Sequence, residues 1–159
     1  MEFDLRIGSE AVDARQLARA LTKAEHSCKG RGVRLTRLRR RVLELILQAG
    51  QPVGAYALLA QLDDKRTPTT VYRAIDFLLE QKFIHRIESL NAFTGCPDVD
   101  HPHDSQFVIC TDCGSTEELH DDAIAETLRR HGRTLGFQID RQVVELRGLC
   151  RACRAAAAE

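Results

Sequence analysis

The sequence predicts an α+β chain in two parts, a helical first half closed by a hairpin and a smaller mixed second half, and three observations predict it. Apolar residues recur at helical spacing from residue 15 to about residue 81; short alternating segments follow; and five of the six cysteines lie beyond residue 95. A chain of 159 residues has room for one domain or two small ones sharing a core, which excludes a large multidomain enzyme. With 43% hydrophobic and 29% charged residues it carries enough apolar surface to fold. No apolar run approaches the roughly 20 residues that span a bilayer, and the start MEFDLRIGSE has no basic segment leading into an apolar one. A cytoplasmic protein with no membrane partner is expected.

From Arg15 to Cys28, residues Leu17, Ala20, Leu21, Ala24 and Cys28 form the stripe of a first amphipathic helix, with Cys28 read as core. Thr36 caps a second helix on Leu38, Val42, Leu45, Ile46 and Ala49, stopped by Gly50 and Pro52. A third, shorter helix fits Ala55 to Leu62, and a fourth runs from Thr67 and Pro68 to about Gln81 on Val71, Ile75, Leu78 and Leu79. FIHRIES and NAFTGC, bent near Asn91, read as a hairpin, so helices followed by a hairpin suggest a winged helix-turn-helix over residues 1–95. The polar stretch PDVDHPHDS reads as a hinge, residues 96–105. In residues 106–159, QFVIC and STEEL are expected strands, Asp121 to His131 a helix, FQIDRQVVELRGLC a further strand, and AAAAE a frayed tail. This small α/β unit is too short to bury much core alone, and a metal or a partner subunit is expected to support it. QFVIC and FQIDRQVVELRG offer apolar faces and a free edge that a two-fold partner can cover, so it is read as a dimerisation domain.

The net charge of zero hides an asymmetry. Residues 1 to 88 hold 16 Lys and Arg against 11 Asp and Glu, and the remainder 7 against 12. A neutral chain with a basic half fits one localised nucleic-acid footprint better than general polyanion binding.

Cys110-Thr-Asp-Cys113 is followed, after 36 intervening residues, by Cys150-Arg-Ala-Cys153. Four thiolates can surround zinc tetrahedrally, and two residues between each pair let one tight turn present both sulfurs, with Gly114 assisting the first. A redox dithiol, disulfides or an iron site are the competing readings. A closed four-thiolate set leaves no open position for a catalytic water, so this zinc is expected to be structural. A second constellation, His85, Cys96, His101, His103 and Glu118, offers imidazole, thiolate and carboxylate from both halves, as suits a zinc sensor. Taken singly, His85 also fits a polar strand residue, Cys96 a small core residue, and His101 and His103 solvated loop residues.

From Lys29 to Arg41 the chain holds seven Lys and Arg and no acid. At about 100° per residue, Arg73 falls opposite Val71 on the fourth helix and points to solvent, where its fork can read a guanine edge. Thr69 and Thr70 sit in the first turn of that helix, where free backbone N–H groups favour phosphate. A solvated basic face is the plain alternative for the run.

RGVRLTRLRRRVLELI, AYALLAQL, TVYRAIDFLLEQKFIHRIES, FVICTDCG and GLCRAC together resemble the ferric uptake regulator superfamily and, within it, the zinc uptake regulators, over nearly all of residues 15 to 153. The resemblance implies a homodimer with an N-terminal winged helix and a C-terminal dimerisation domain that represses zinc-acquisition genes when zinc is bound. It implies structural zinc at Cys110, Cys113, Cys150 and Cys153, and regulatory zinc at His85, Cys96, His103 and Glu118, with His101 as the substitute for His103 and Asp98, Asp100 and Asp104 as nearby oxygen donors. It places Tyr56 and Arg73 at bases, and Thr69, Thr70, Tyr72 and Arg40 at the DNA backbone. The expected function is therefore a zinc-responsive repressor binding double-stranded operator DNA, with two zinc ions per subunit, no small-molecule substrate and no enzymatic activity. An iron, manganese or peroxide sensor of the same superfamily and a zinc-ribbon interaction module are the alternatives. A zinc deaminase is disfavoured because neither H-x-E nor P-C-x-x-C occurs.

Overall fold

The computed structural model describes residues 13–62, 67–96 and 104–157. The chain divides into two units at residues 101/102. Among the described residues no helix is long and apolar enough to cross a membrane.

The first unit runs α1 (Ala14–Gly30), α2 (Arg37–Ala49), β1 (Val53–Gly54), α3 (Ala55–Ala60), α4 (Pro68–Glu80), β2 (Ile84–Ile87) and β3 (Ala92–Gly95). The apolar stripes drive this arrangement: Leu21, Ala24 and Cys28 of α1, Val42, Leu45 and Ile46 of α2, and Val71, Ile75 and Leu78 of α4 are buried in one core with Leu58 of α3. Ala49 is exposed, and Leu43, outside the predicted stripe, is buried in its place. Thr36 caps α2 by accepting from the Arg39 N–H at 3.4 Å, and Gly50 ends it at φ 62°, a left-handed conformation glycine adopts without strain. Thr67 stands at the N-cap of α4, yet its hydroxyl meets that of Thr70 at 2.8 Å instead of a backbone N–H. The expected hairpin forms, with Asn91 left-handed at φ 46° after a single 3₁₀ turn, Glu88–Leu90. It is one strand richer than expected: β1 pairs antiparallel with β3, Val53 facing Phe93, in the order β1-β3-β2. Two residues are too few for any alternation to announce a strand.

Much of the basic run is held by the fold. Arg31 donates to the Gln81 carbonyl at 2.7 Å, Arg39 lies 3.6 Å over the Phe77 ring, Arg40 pairs with Glu25 at 2.7 Å, and Arg41 with Glu44 at 2.8 Å.

The second unit comprises β4 (Ser105–Cys110), β5 (Thr116–Glu118), α5 (Asp122–Thr134), β6 (Val143–Gly148) and α6 (Arg151–Ala156). Asp121 caps α5 by accepting from the Ala123 and Ile124 N–H groups. Sheet order is β5-β4-β6, with β4 and β5 antiparallel and β4 and β6 parallel, the connection α5 supplies. Three expectations are corrected here. The strand expected over FQIDRQVVELRGLC is confined to Val143–Gly148, because Ser105 opens β4 opposite Val143 and the ladder begins there. QFVIC is the central strand, so the sheet's open edges within this chain belong to β5 and β6. The first two residues of the AAAAE segment, Ala155 and Ala156, end a short helix, Arg151–Ala156, where fraying was expected, in keeping with alanine's high helix propensity.

Candidate metal centre and nucleic-acid interface

Parallel pairing of β4 with β6 sets Cys110 opposite Gly148, which carries the second cysteine pair to the end of β4 where the first begins. Gly114 turns the chain at φ +74°, its N–H donating to the Cys110 carbonyl at 3.1 Å. Cys150 is the N-cap of α6, its Sγ accepting from the Cys153 N–H at 3.5 Å, while its own N–H donates to Cys110 Sγ at 3.3 Å. The four sulfurs lie within 4.8 Å of one another, Cys113 and Cys150 at 3.8 Å. Tetrahedral zinc with Zn–S bonds near 2.3 Å requires sulfurs about 3.8 Å apart, so the set fits zinc. Electrostatics agree with that fit. Backbone N–H groups of Cys150, Cys113 and Asp112 draw the Cys110 thiol down to about 6, whereas Asp112 and then the neighbouring thiols hold Cys153 well above its ordinary value. Four thiolates do not ionise together without a cation, and a dication removes that repulsion. Among the described residues this is the one group of three or more metal-ligating side chains that converges.

His85 lies in β2, buried, opposite Thr94. Cys96 follows β3, buried, its N–H donating to the Phe83 carbonyl at 3.0 Å. Residues at the paired positions 83/96 and 85/94 share one face, so His85 and Cys96 are diagonal neighbours on the sheet. Glu118 ends β5 in the second unit and is half-buried. His101, His103, Asp98 and Asp100 lie outside the described residues. Asp104, expected as a spare oxygen donor, is engaged otherwise: its Oδ2 accepts from Arg129 and, at 2.9 Å, from Gln142. Periodicity had no means of pointing to Arg129 and Gln142, which lie 25 and 38 residues away from Asp104 and meet it only through the sheet and α5.

On the first unit, Tyr56 of α3 is 73% exposed, and Tyr72, Arg73 and Thr69 of α4 are also exposed, with Thr70 half-buried beside Thr67. The first two turns of α4 thus present hydroxyls and a cation to solvent while Val71, Ala74 and Ile75 dock on the core. Arg40 is exposed but already paired with Glu25. An open polar pocket of about 480 Å³ lies between α2 and the end of α3, lined by Arg37, Arg40, Arg41 and Gln61, which the sequence had not set apart from the rest of the basic run.

Residues 30–147 match the Ferric uptake regulator family. The zinc uptake regulation protein of Escherichia coli (strain K12) is 39% identical over 137 residues, 84% of this chain and 80% of that protein. A solved zinc uptake regulator complexed with zinc and DNA matches with a TM-score of 0.86 at 37% identity, covering 90% of this chain and 98% of the other. The crystal structure of holo XcZur matches with a TM-score of 0.80 at 43% identity, covering 85% and 96%.

Proposed function

The chain belongs to the ferric uptake regulator family, and on that premise we propose that it is a zinc-responsive repressor of zinc-uptake genes that binds a double-stranded operator as a homodimer. The observation that carries this reading is the likeness, over 90% of the chain, to a zinc uptake regulator complexed with zinc and DNA. Two zinc ions serve each subunit. Cys110, Cys113, Cys150 and Cys153 hold one, which supplies folding free energy to a unit too small to stand on its core. His85, Cys96, His103 and Glu118, with His101 as substitute, hold the other. Since His85 and Cys96 come from the first unit and Glu118 from the second, occupancy favours one disposition of the paired winged units over others, a population shift driven by differential binding.

Arg73 and Tyr56 read bases, while Thr69, Thr70, Tyr72 and Arg40 hold the phosphate backbone. The winged unit comprises residues 1–95, the hinge 96–105 and the dimerisation unit 106–159. A thiolate in the regulatory set makes it softer than the nitrogen and oxygen set of an iron sensor. The protein is a regulator of the cytoplasm and not an enzyme, its four-thiolate site being closed to a reacting water. The test is duplex binding at buffered free zinc, iron(II) and manganese(II), over several salt concentrations. Binding that tightens with zinc at the lowest free concentration is expected; binding driven equally by iron, or indifferent to metal, would overturn the reading.

A further inference from the structure

Two ties join β4 and β6, and they lie at opposite ends of the ladder. Pairing runs from Ser105 opposite Val143 to Cys110 opposite Gly148, and the four cysteines gather where it ends. Where it begins, about 20 Å from Cys110 along an extended strand, the tie is made of protein alone. Asp104 and Gln142 are the residues just before the two strands; Asp104 Oδ2 accepts from Gln142 Nε2 at 2.9 Å and also from Arg129 of α5. Gln142 Nε2 donates in addition to the Ala125 carbonyl at 3.0 Å, and Gln106 Nε2 of β4 to the carbonyl of Asp121, the N-cap of α5, at 2.9 Å. Gln106 and Gln142 are buried and the Asp104 side chain is 17% exposed, so water competes little for these bonds. The cluster thus binds the starts of β4 and β6 to the first turns of α5, and none of its groups is a cysteine or needs a metal.

We propose that this cluster is a second, metal-independent staple of the C-terminal unit, which keeps the sheet and α5 folded when the four-thiolate zinc is lost. The proposal rests on the four-thiolate reading above. The unit has little else to stand on: among its described residues the buried apolar side chains are Phe107, Ile109, Cys110 and Ala125. The zinc end is built differently, for α6 has six residues and is joined to the sheet through Cys150 and Cys110. Loss of zinc therefore releases α6 and the turn at Gly114, and reloading requires those two pieces to close again instead of the whole unit to refold. With the staple broken as well, neither end of the ladder is tied.

The test is hydrogen exchange followed by mass spectrometry on the full-length protein, zinc-loaded and after stripping by a chelator under reducing conditions, for the unsubstituted chain, Arg129→Met and Asp104→Asn. With zinc bound, all three are expected to protect residues 105–110, 121–134 and 143–148. Stripping the unsubstituted protein is expected to expose residues 149–156 while 105–109 and 121–134 stay protected. Stripping either variant is expected to cost those two segments about tenfold or more in protection, as loss of a sheltered charge-assisted bond implies. Arg129→Lys, which keeps a cation, is expected to recover part of the loss. Protection lost through 121–134 in the stripped unsubstituted protein would overturn the proposal, as would stripped variants that exchange no faster than it does. So would unfolding of both variants with zinc bound, since zinc would then not suffice by itself; if one variant alone unfolds, the other decides. Metal analysis separates these outcomes from the premise: purified protein without zinc ends the four-thiolate reading, and the metal-free chains compared with one another still decide the staple.

Discussion

Arg73 and Arg40 carry the same charge and differ in what holds them. Arg40 is tied to Glu25 on α1, whereas Arg73 projects from the first turns of α4 with no hydrogen-bond or ion-pair partner among the described residues. A free fork near a helix N-terminus can make a bidentate pair to guanine, worth about 1–3 kcal/mol of discrimination. Arg73→Ala is therefore expected to relax specificity. Arg40→Ala is expected to weaken operator and scrambled duplexes alike and to lower the salt slope by about one. Competition with both duplexes over several salt concentrations checks this; equal losses for Arg73→Ala would make Tyr56 the first candidate for base reading. Cysteine chemistry divides in the same way. Burial pushes the Cys28 thiol up, so at pH 8 Cys28 stays a thiol in the folded protein. Mass mapping after brief alkylation of zinc-stripped protein is expected to find exposed Cys113 modified and Cys28 intact.

α6 has only six residues, too few to form a stable helix alone, and it is joined to the sheet by its first cysteine through Cys110. Loss of one thiolate therefore removes both a zinc bond and the attachment of the element. Cys150→Ser is expected to lose the zinc that survives mild chelation and to unfold the second unit at lower temperature. Metal analysis and a melting curve check it, and full thermal stability in the zinc-free variant would contradict it. In the first unit, α3 is equally short and depends on Leu58, which is fully buried against α2 and α4. Leu58→Ala is expected to cost about 2–5 kcal/mol in denaturant unfolding of that unit and to weaken duplex binding, while the four-thiolate zinc is retained.

The second unit leaves large apolar side chains in solvent: Leu135 at 75%, Phe137 at 65%, and also Leu128, Leu146 and Leu149. Scattered singly such residues need no partner, but Leu146 lies on β6, a sheet edge left open within this chain, as suits a two-fold interface. Phe137→Asp combined with Leu128→Asp is expected to give a monomer that still holds the four-thiolate zinc. Sedimentation velocity at micromolar concentration with zinc present distinguishes the species, and an unchanged dimer would place the interface elsewhere.

Local order was legible in the residues themselves. The stripes of α1, α2 and α4, the stops at Gly50 and Asn91 and the paired cysteines are short-range statements about periodicity, backbone freedom and ligand spacing, and each physical cause operates within a few positions of the chain. Tertiary structure alone decided what depends on partners far along it. β1 is a strand because Phe93 lies beside it, β6 starts at Val143 because β4 starts at Ser105, and Arg40 meets Glu25 because α1 packs on α2. The grip on Asp104 is of this kind, since its three elements are distant in sequence and adjacent only once a parallel strand and its crossover helix have formed. Hydrogen-bond ladders and ion pairs are properties of two segments at once, and no window on one segment contains the other.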